Sequence, residues 1–230
     1  MTNELKTGRV ERMTLLQRAV HGVLIVAILM LVLSGLALAY HGHAWAHSLV
    51  DLMGGFGGRS AVHRAGAVLL LLVFIYHGVA TNVSARHQQN ALASVPKPGD
   101  LKAGWEGFLY RTLGRGEAPR YGHYTPMQKI QYWLIFLGCL VMGLSGAVLW
   151  SPRISLELFP KSFSDLCLAV HSSEAQWVFV LLIAWHLWDV HVAGGNFPMN
   201  PAWLTGNMRE DLFKTQHGAE WDSMQKGTKE

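Results

Sequence analysis

The chain has 230 residues, 50% of them apolar and only 15% charged, with a mean hydropathy of +0.21. That balance excludes an ordinary soluble domain and points to a small multi-span membrane protein. The net charge of +4 comes without a basic and aromatic surface module, so it indicates membrane topology and not nucleic-acid binding.

In chain order, residues 1–19 form a polar N-terminal segment whose first dozen residues are expected to fray. The apolar run 20–40 is long enough to span roughly 30 Å of hydrocarbon. A cleaved signal peptide is its rival, because basic residues precede it and Ala37-Leu38-Ala39 resembles a cleavage site; its length and its His21 favour a retained span. His41, His43 and His47 follow, read as surface histidines in preference to a metal site, and then Gly54 to Gly58 as a flexible loop.

A second run, 62–83, carries His63 and His77. The long loop from Ser84 to Met127 holds most of the charge, with a turn at Pro96-Lys97-Pro98-Gly99. Leu101 to Leu113 has helical spacing with Trp105, Phe108 and Leu109 on one side. It would lie on the membrane face or pack on a partner. The third run, 130–150, echoes the first. Gln17 leads to Leu33-Ser34-Gly35 and Gln128 to Leu144-Ser145-Gly146 at the same interval, which implies a duplicated helix pair, with His21 falling opposite Tyr132. The fourth run, 170–193, carries His171 and His186, and the tail 194–230 begins with the breakers Pro198, Asn200 and Pro201.

The chain therefore reads as an all-α membrane protein, a four-transmembrane-helix bundle with a central domain at 20–193. Lys and Arg concentrate in the N-terminal segment, the middle loop and the tail, which places both termini in the cytoplasm. The site of such a chain is the bacterial inner membrane, with lipid as its surroundings.

Ionisable residues inside a span mark function by default. Along ideal helices His171 and His186 lie roughly 22 Å apart and about 60° around the axis, and His63 and His77 roughly 21 Å and about 40°. Two helices with paired histidines suggest two metal centres stacked across the bilayer, and haem b fits best. No C-x-x-C-H exists, so covalent haem attachment is not supported. His63 and His171, both near the outer face, would hold the outer haem. The inner haem would take His186, and its partner is His21 or His77; symmetry between the halves favours His77. His191 is rotated by about 140° from His186 and faces elsewhere. A haem-free transporter using these histidines is the reading from another class.

Several stretches carry a family resemblance. Arg18-Ala19-Val20-His21 with Leu33-Ser34-Gly35, Gly58-Arg59 before His63, Gly122-His123-Tyr124-Thr125-Pro126-Met127-Gln128-Lys129 with Tyr132-Trp133, and Leu204-Thr205-Gly206-Asn207-Met208 with His217 and Trp221 are its residues. Together they resemble the cytochrome b (gamma) subunit of respiratory membrane-bound formate dehydrogenases, within a wider di-haem group that includes the cytochrome b subunits of nickel-iron hydrogenases. The resemblance implies two haem b groups, with His63 and His171 on the outer one and His21 and His186 on the inner one, and His77 as an addition of undecided role. It implies a quinone, menaquinone or ubiquinone, beside Tyr124, Thr125, Gln128 and His186. Thr125 and Met127 depart from the Asn and Gly of that family, which leaves quinone preference open. Arg18 and Arg64 are candidates for haem propionates, as is Lys129. The implied partners are an iron-sulfur electron-transfer subunit and a molybdenum or tungsten catalytic subunit. No substrate-oxidising site lies in this chain. The alternatives are a cytochrome b for a hydrogenase or thiosulfate-type enzyme, or a stand-alone quinol-oxidising cytochrome b.

Overall fold

The computed structural model describes residues 8–113, 115–117, 119–192 and 196–227. Lys6, Gly194, Lys229 and the expected end of the fourth span at 193 lie outside the described residues. Among the described residues, four helices are long and apolar enough to cross a membrane. These are α1 (Leu15–Ala39), α3 (Gly55–Val83), α6 (Pro126–Leu149) and the continuous helical run Lys161–His191. Short helices α2 (Ala44–Leu52), α4 (Ala85–Ser94), α5 (Pro98–Leu113) and α7 (Pro152–Leu158) fill the connections. Leu29, Leu71 and Leu144 are more than half exposed on the spans, the surface that lipid covers.

Two of the spans begin with the same device. Thr14 N–H donates to Gln17 Oε1 at 2.9 Å while Gln17 N–H donates to Thr14 Oγ1 at 3.2 Å. Thr125 and Gln128 repeat this reciprocal pair at 3.0 and 3.2 Å. Each is a capping box, which satisfies otherwise orphaned amides at a helix start.

The glycine-rich stretch after α2 is not a flexible loop. Gly54 and Gly55 take φ of +88° and +82° to turn the chain, and α3 starts at once. A Cβ on Gly58 would lie 1.8 Å from the Met53 carbonyl oxygen, so only glycine fits under that turn.

The fourth span consists of α8 (Lys161–Val180), a π-helical segment Leu181–His186, and α9 (Leu187–His191). The 60° angle expected between His171 and His186 assumed α geometry throughout. A π segment carries more residues per turn, so that phase does not extend to His186.

The chain forms two compact units: 1–18, 79–134 and 186–230, and 19–78 with 135–185. The first, here the terminal unit, contains β1 (Arg9–Glu11), α10 (Ala202–Thr205), β2 (Asn207–Arg209), α11 (Glu210–Gln216) and α12 (Gly218–Gly227). Residues 9–11, expected to fray, instead pair antiparallel with the tail, Val10 opposite Met208. Val10, Met208 and Phe213 are buried there, and Leu212, Trp221 and Met224 pack against them. The reason is burial of apolar tail residues that a short hairpin alone could not cover.

Polar bonds close this unit. Arg12 donates to Glu220 at 2.9 Å and to the His123 carbonyl at 2.9 Å, and His123 Nδ1 lies 2.7 Å from Glu220 Oε1. Lys129, 10% exposed, meets Asp100 at 2.9 and 3.0 Å. Burial alone would raise the Asp100 carboxyl, but the Lys97 amide and the Lys129 ammonium outweigh it and hold it below its ordinary value. His217 donates Nδ1–H to the Gly122 carbonyl at 2.8 Å. Burial first, then the Arg12 charge, depress the His217 imidazole to about 4. For Glu220, the His123 hydrogen bond and Arg12 overcome a burial effect of opposite sign and hold the carboxyl low.

Both shifts favour the form present at neutral pH. The stability that His217 supplies is complete above the unfolded imidazole value near 6.5 and is lost as pH falls from there through about 4, whereas that of Glu220 is complete above its ordinary carboxyl value and is lost only below it. Acidifying the full-length protein from pH 7 to pH 4 is expected to weaken the terminal unit by up to about 3 kcal/mol from His217 alone. Hydrogen exchange at Val10 and Met208 should speed up accordingly, and His217→Gln should flatten that dependence.

Candidate functional site

The unit of residues 19–78 and 135–185 brings two of the expected histidines together. His63, on α3, and His171, on α8, have ring centroids 6.3 Å apart with planes inclined by 63°. Both rings are half-buried. A metal–imidazole bond is about 2 Å long and a ring nitrogen sits about 1 Å from its centroid, so two rings opposed across one metal have centroids about 6 Å apart. The observed pair has that spacing.

Each ring is held by a serine from the preceding span. Ser34 Oγ on α1 is 2.8 Å from His63 Nδ1, and Ser145 Oγ on α6 is 3.0 Å from His171 Nδ1. Both serines are buried. The glycine after each serine lies under the same ring. A Cβ at Gly35 would be 3.8 Å from His63 Cε1, and one at Gly146 only 3.1 Å from His171 Cε1. The repeated Ser-Gly pair, legible in the sequence only as an echo, thus forms the floor beneath both imidazoles. Its role in holding the rings was not visible there, because nothing in a single chain pattern says which helix faces which.

Arg59, one turn before His63, donates to the Ser34 carbonyl at 3.1 Å and to Ser60 Oγ at 2.9 Å. Its Nε is buried with no protein partner among the described residues. A guanidinium donor left over beside a histidine pair suits an anionic group such as a propionate. Arg64, the expected candidate on this helix, donates to the Trp150 carbonyl at 3.1 Å, with its guanidinium carbon 5.3 Å from the Trp150 ring centroid.

His21 and His77 also belong to this unit. His77 lies beside Phe136, ring centroids 6.3 Å apart, and Phe136 stacks on Phe74 at 5.2 Å. His41 and His43, nearer the surface, turn Nδ1 back to the Leu38 and Tyr40 carbonyls.

The terminal unit holds the remaining candidates. His186 Nδ1 is 3.2 Å from Oε1 of Gln131, a buried glutamine that the sequence reading did not single out. Arg18 donates to the Leu204 carbonyl, and its Nε is buried without a protein partner among the described residues. Gly206, at φ +83°, lets this backbone pass under Arg18; a Cβ there would be 2.6 Å from the Met13 carbonyl oxygen. Lys129, also a propionate candidate, directs its ammonium to both Asp100 carboxylate oxygens. Thr125 and Gln128 serve α6 as its capping box, which leaves the Thr125 O–H and the Gln128 amide N–H groups as donors. Tyr124 packs edge-on to His123 at 4.6 Å, and burial pushes its phenol above the usual range.

A family model described as prokaryotic cytochrome b561 matches residues 12–192. A search of curated proteins finds no match. Haem b is thus the group to test against these residues, and the ring spacing, the anchored Nδ1 atoms, the glycine floor and the spare Arg59 Nε all fit it.

Gly146→Leu, which drives a side chain into His171, is expected to cost the protein any haem held by this pair. Gly35→Ala, with 3.8 Å of clearance, should retain it. Haem per chain in purified protein measures both.

Proposed function

Because this chain belongs to the prokaryotic cytochrome b561 family, membrane cytochromes of the bacterial inner membrane, we propose that it is the di-haem b subunit of a formate dehydrogenase-type respiratory complex. It anchors a periplasm-facing catalytic module and passes that module's electrons to quinone. The observation that carries the reading is the His63–His171 pair, 6.3 Å between ring centroids, inside helices long and apolar enough to span the membrane. The sequence resemblance along nearly the whole chain supports the finer assignment.

When bound, haem b supplies one-electron transfer. The protein's residues do the rest. His63 and His171 hold one group, and His186, with Gln131 behind it, holds the other together with His21 or His77. Arg59 and Arg18 each keep one guanidinium N–H for a carboxylate. The apolar spans exclude water around both. Tyr124 and the spare donors of Thr125 and Gln128 are available to a quinone carbonyl at the head of α6. The terminal unit, held by Arg12, His123 and Glu220, is the cytoplasmic side in this reading. The implied partners are an iron-sulfur protein and a molybdenum or tungsten enzyme.

The test is a reduced-minus-oxidised spectrum with haem quantitation of the purified chain, alongside single alanine variants at His63, His171, His186, His21 and His77. About two b-type haems per chain are expected, with His63→Ala and His171→Ala losing the same one and His186→Ala the other. Loss of that second haem in His21→Ala but not His77→Ala would assign the remaining ligand. A colourless protein would end the electron-transfer reading. Copurifying molybdenum or tungsten supports the formate dehydrogenase type, and nickel would redirect it to a hydrogenase.

A further inference from the structure

We propose that Ser34 and Ser145 are positioning residues that fix the tautomer and the electron-donating strength of His63 and His171, and so set the reduction potential of the haem this pair holds. The proposal rests on the haem-ligand reading of those two histidines.

A serine hydroxyl has one hydrogen to donate and two lone pairs. Ser34 directs its hydrogen to the carbonyls of its own helix, Met30 and, at 3.3 Å, Leu31. Ser145 does the same with Val141 at 2.8 Å and Met142 at 3.3 Å. With the hydrogen committed, the oxygen can only accept from the imidazole that faces it. The proton of each ring must then sit on Nδ1, and the lone pair on Nε2. A hydroxyl turned the other way would place the proton on Nε2 and block ligation through that atom. An acceptor on Nδ1–H also makes the imidazole a stronger donor to a metal.

Back-bonding to the preceding turn is common for a serine in a helix, and by itself it would explain only half of this arrangement. Ser172 on α8 shows the plain case: it donates to the Leu168 carbonyl at 2.8 Å, and among the described residues its hydroxyl makes no bond to a histidine. Ser34 and Ser145 differ from it by the additional contacts of 2.8 and 3.0 Å to ring nitrogens. The same carbonyl–hydroxyl–imidazole chain occurs in both halves of the repeat, at the same distance in sequence from each capping box.

Redox titration of full-length protein, followed by visible absorbance, tests this with Ser34→Ala, Ser145→Ala and the corresponding threonine variants. Loss of the acceptor weakens donation to the oxidised metal, so each alanine variant is expected to keep its haem while one component becomes easier to reduce. The expected change is about tenfold in that equilibrium, about 59 mV for a one-electron couple. The second component should stay fixed, and threonine should restore the original value. Haem lost from alanine but kept by threonine would equally support a hydroxyl that orients the ring. Unchanged potentials in both alanine variants would overturn the proposal. So would haem loss from alanine and threonine variants alike, since shape would then be deciding. His63→Ala is run in parallel: if that variant retains both haems, the ligand reading fails, whatever the serine variants show.

Discussion

A histidine inside a membrane helix has two ring nitrogens to satisfy where no water can help. That constraint shapes the helical part of this protein. His63, His171 and His186 each meet it the same way, with Nδ1 against a side-chain oxygen from another helix. Ser34, Ser145 and Gln131 are buried for that purpose. The consequence is chemical as well as structural. With the proton drawn to Nδ1, the remaining nitrogen carries the lone pair that a metal requires.

The repeat in the chain becomes intelligible in these terms. Thr14 with Gln17, and Thr125 with Gln128, start two spans with the same reciprocal cap. A helix begun at the same residue reaches its Ser-Gly pair at the same height and phase, because rise and rotation per residue are constant. The second helix of each pair then supplies the histidine. Each helix pair thus carries a cap, a serine, a glycine floor and an imidazole together. The halves are not identical: Arg59 precedes His63 by one turn, and Cys167 stands at the corresponding place before His171.

The terminal unit answers a different demand. It gathers three separate stretches of chain into one compact unit. Val10, Met208 and Phe213 provide a small core, and the Arg12, His123 and Glu220 cluster ties the N-terminal segment, the middle loop and the tail to one another. Arg12 and Glu220 are paired and only partly exposed, a condition under which removing one partner costs more than the pair contributes. Tyr124, Thr125 and Gln128 sit in this same unit, so its integrity bears on any ligand received at the head of α6.

Length and hydropathy alone determined the four membrane helices, because a span must be both long and apolar to exist in lipid, and that requirement is local. The histidines within the spans were legible for the same reason, as polar residues that need a function to justify their cost. The echo between Ser34-Gly35 and Ser145-Gly146 was visible too, but only as a repeated interval. Tertiary structure decided what it means, since a hydrogen bond from Ser34 to His63 depends on which faces of two helices meet. It also decided that Arg59 has an N–H without a protein partner among the described residues while Lys129 pairs with Asp100, and that Arg9–Glu11 pairs with the tail. The π segment before His186 altered a phase that ideal α geometry had assigned. Each of these depends on contacts between residues far apart in the chain or on a local departure from ideal geometry, and residue spacing along one helix carries neither.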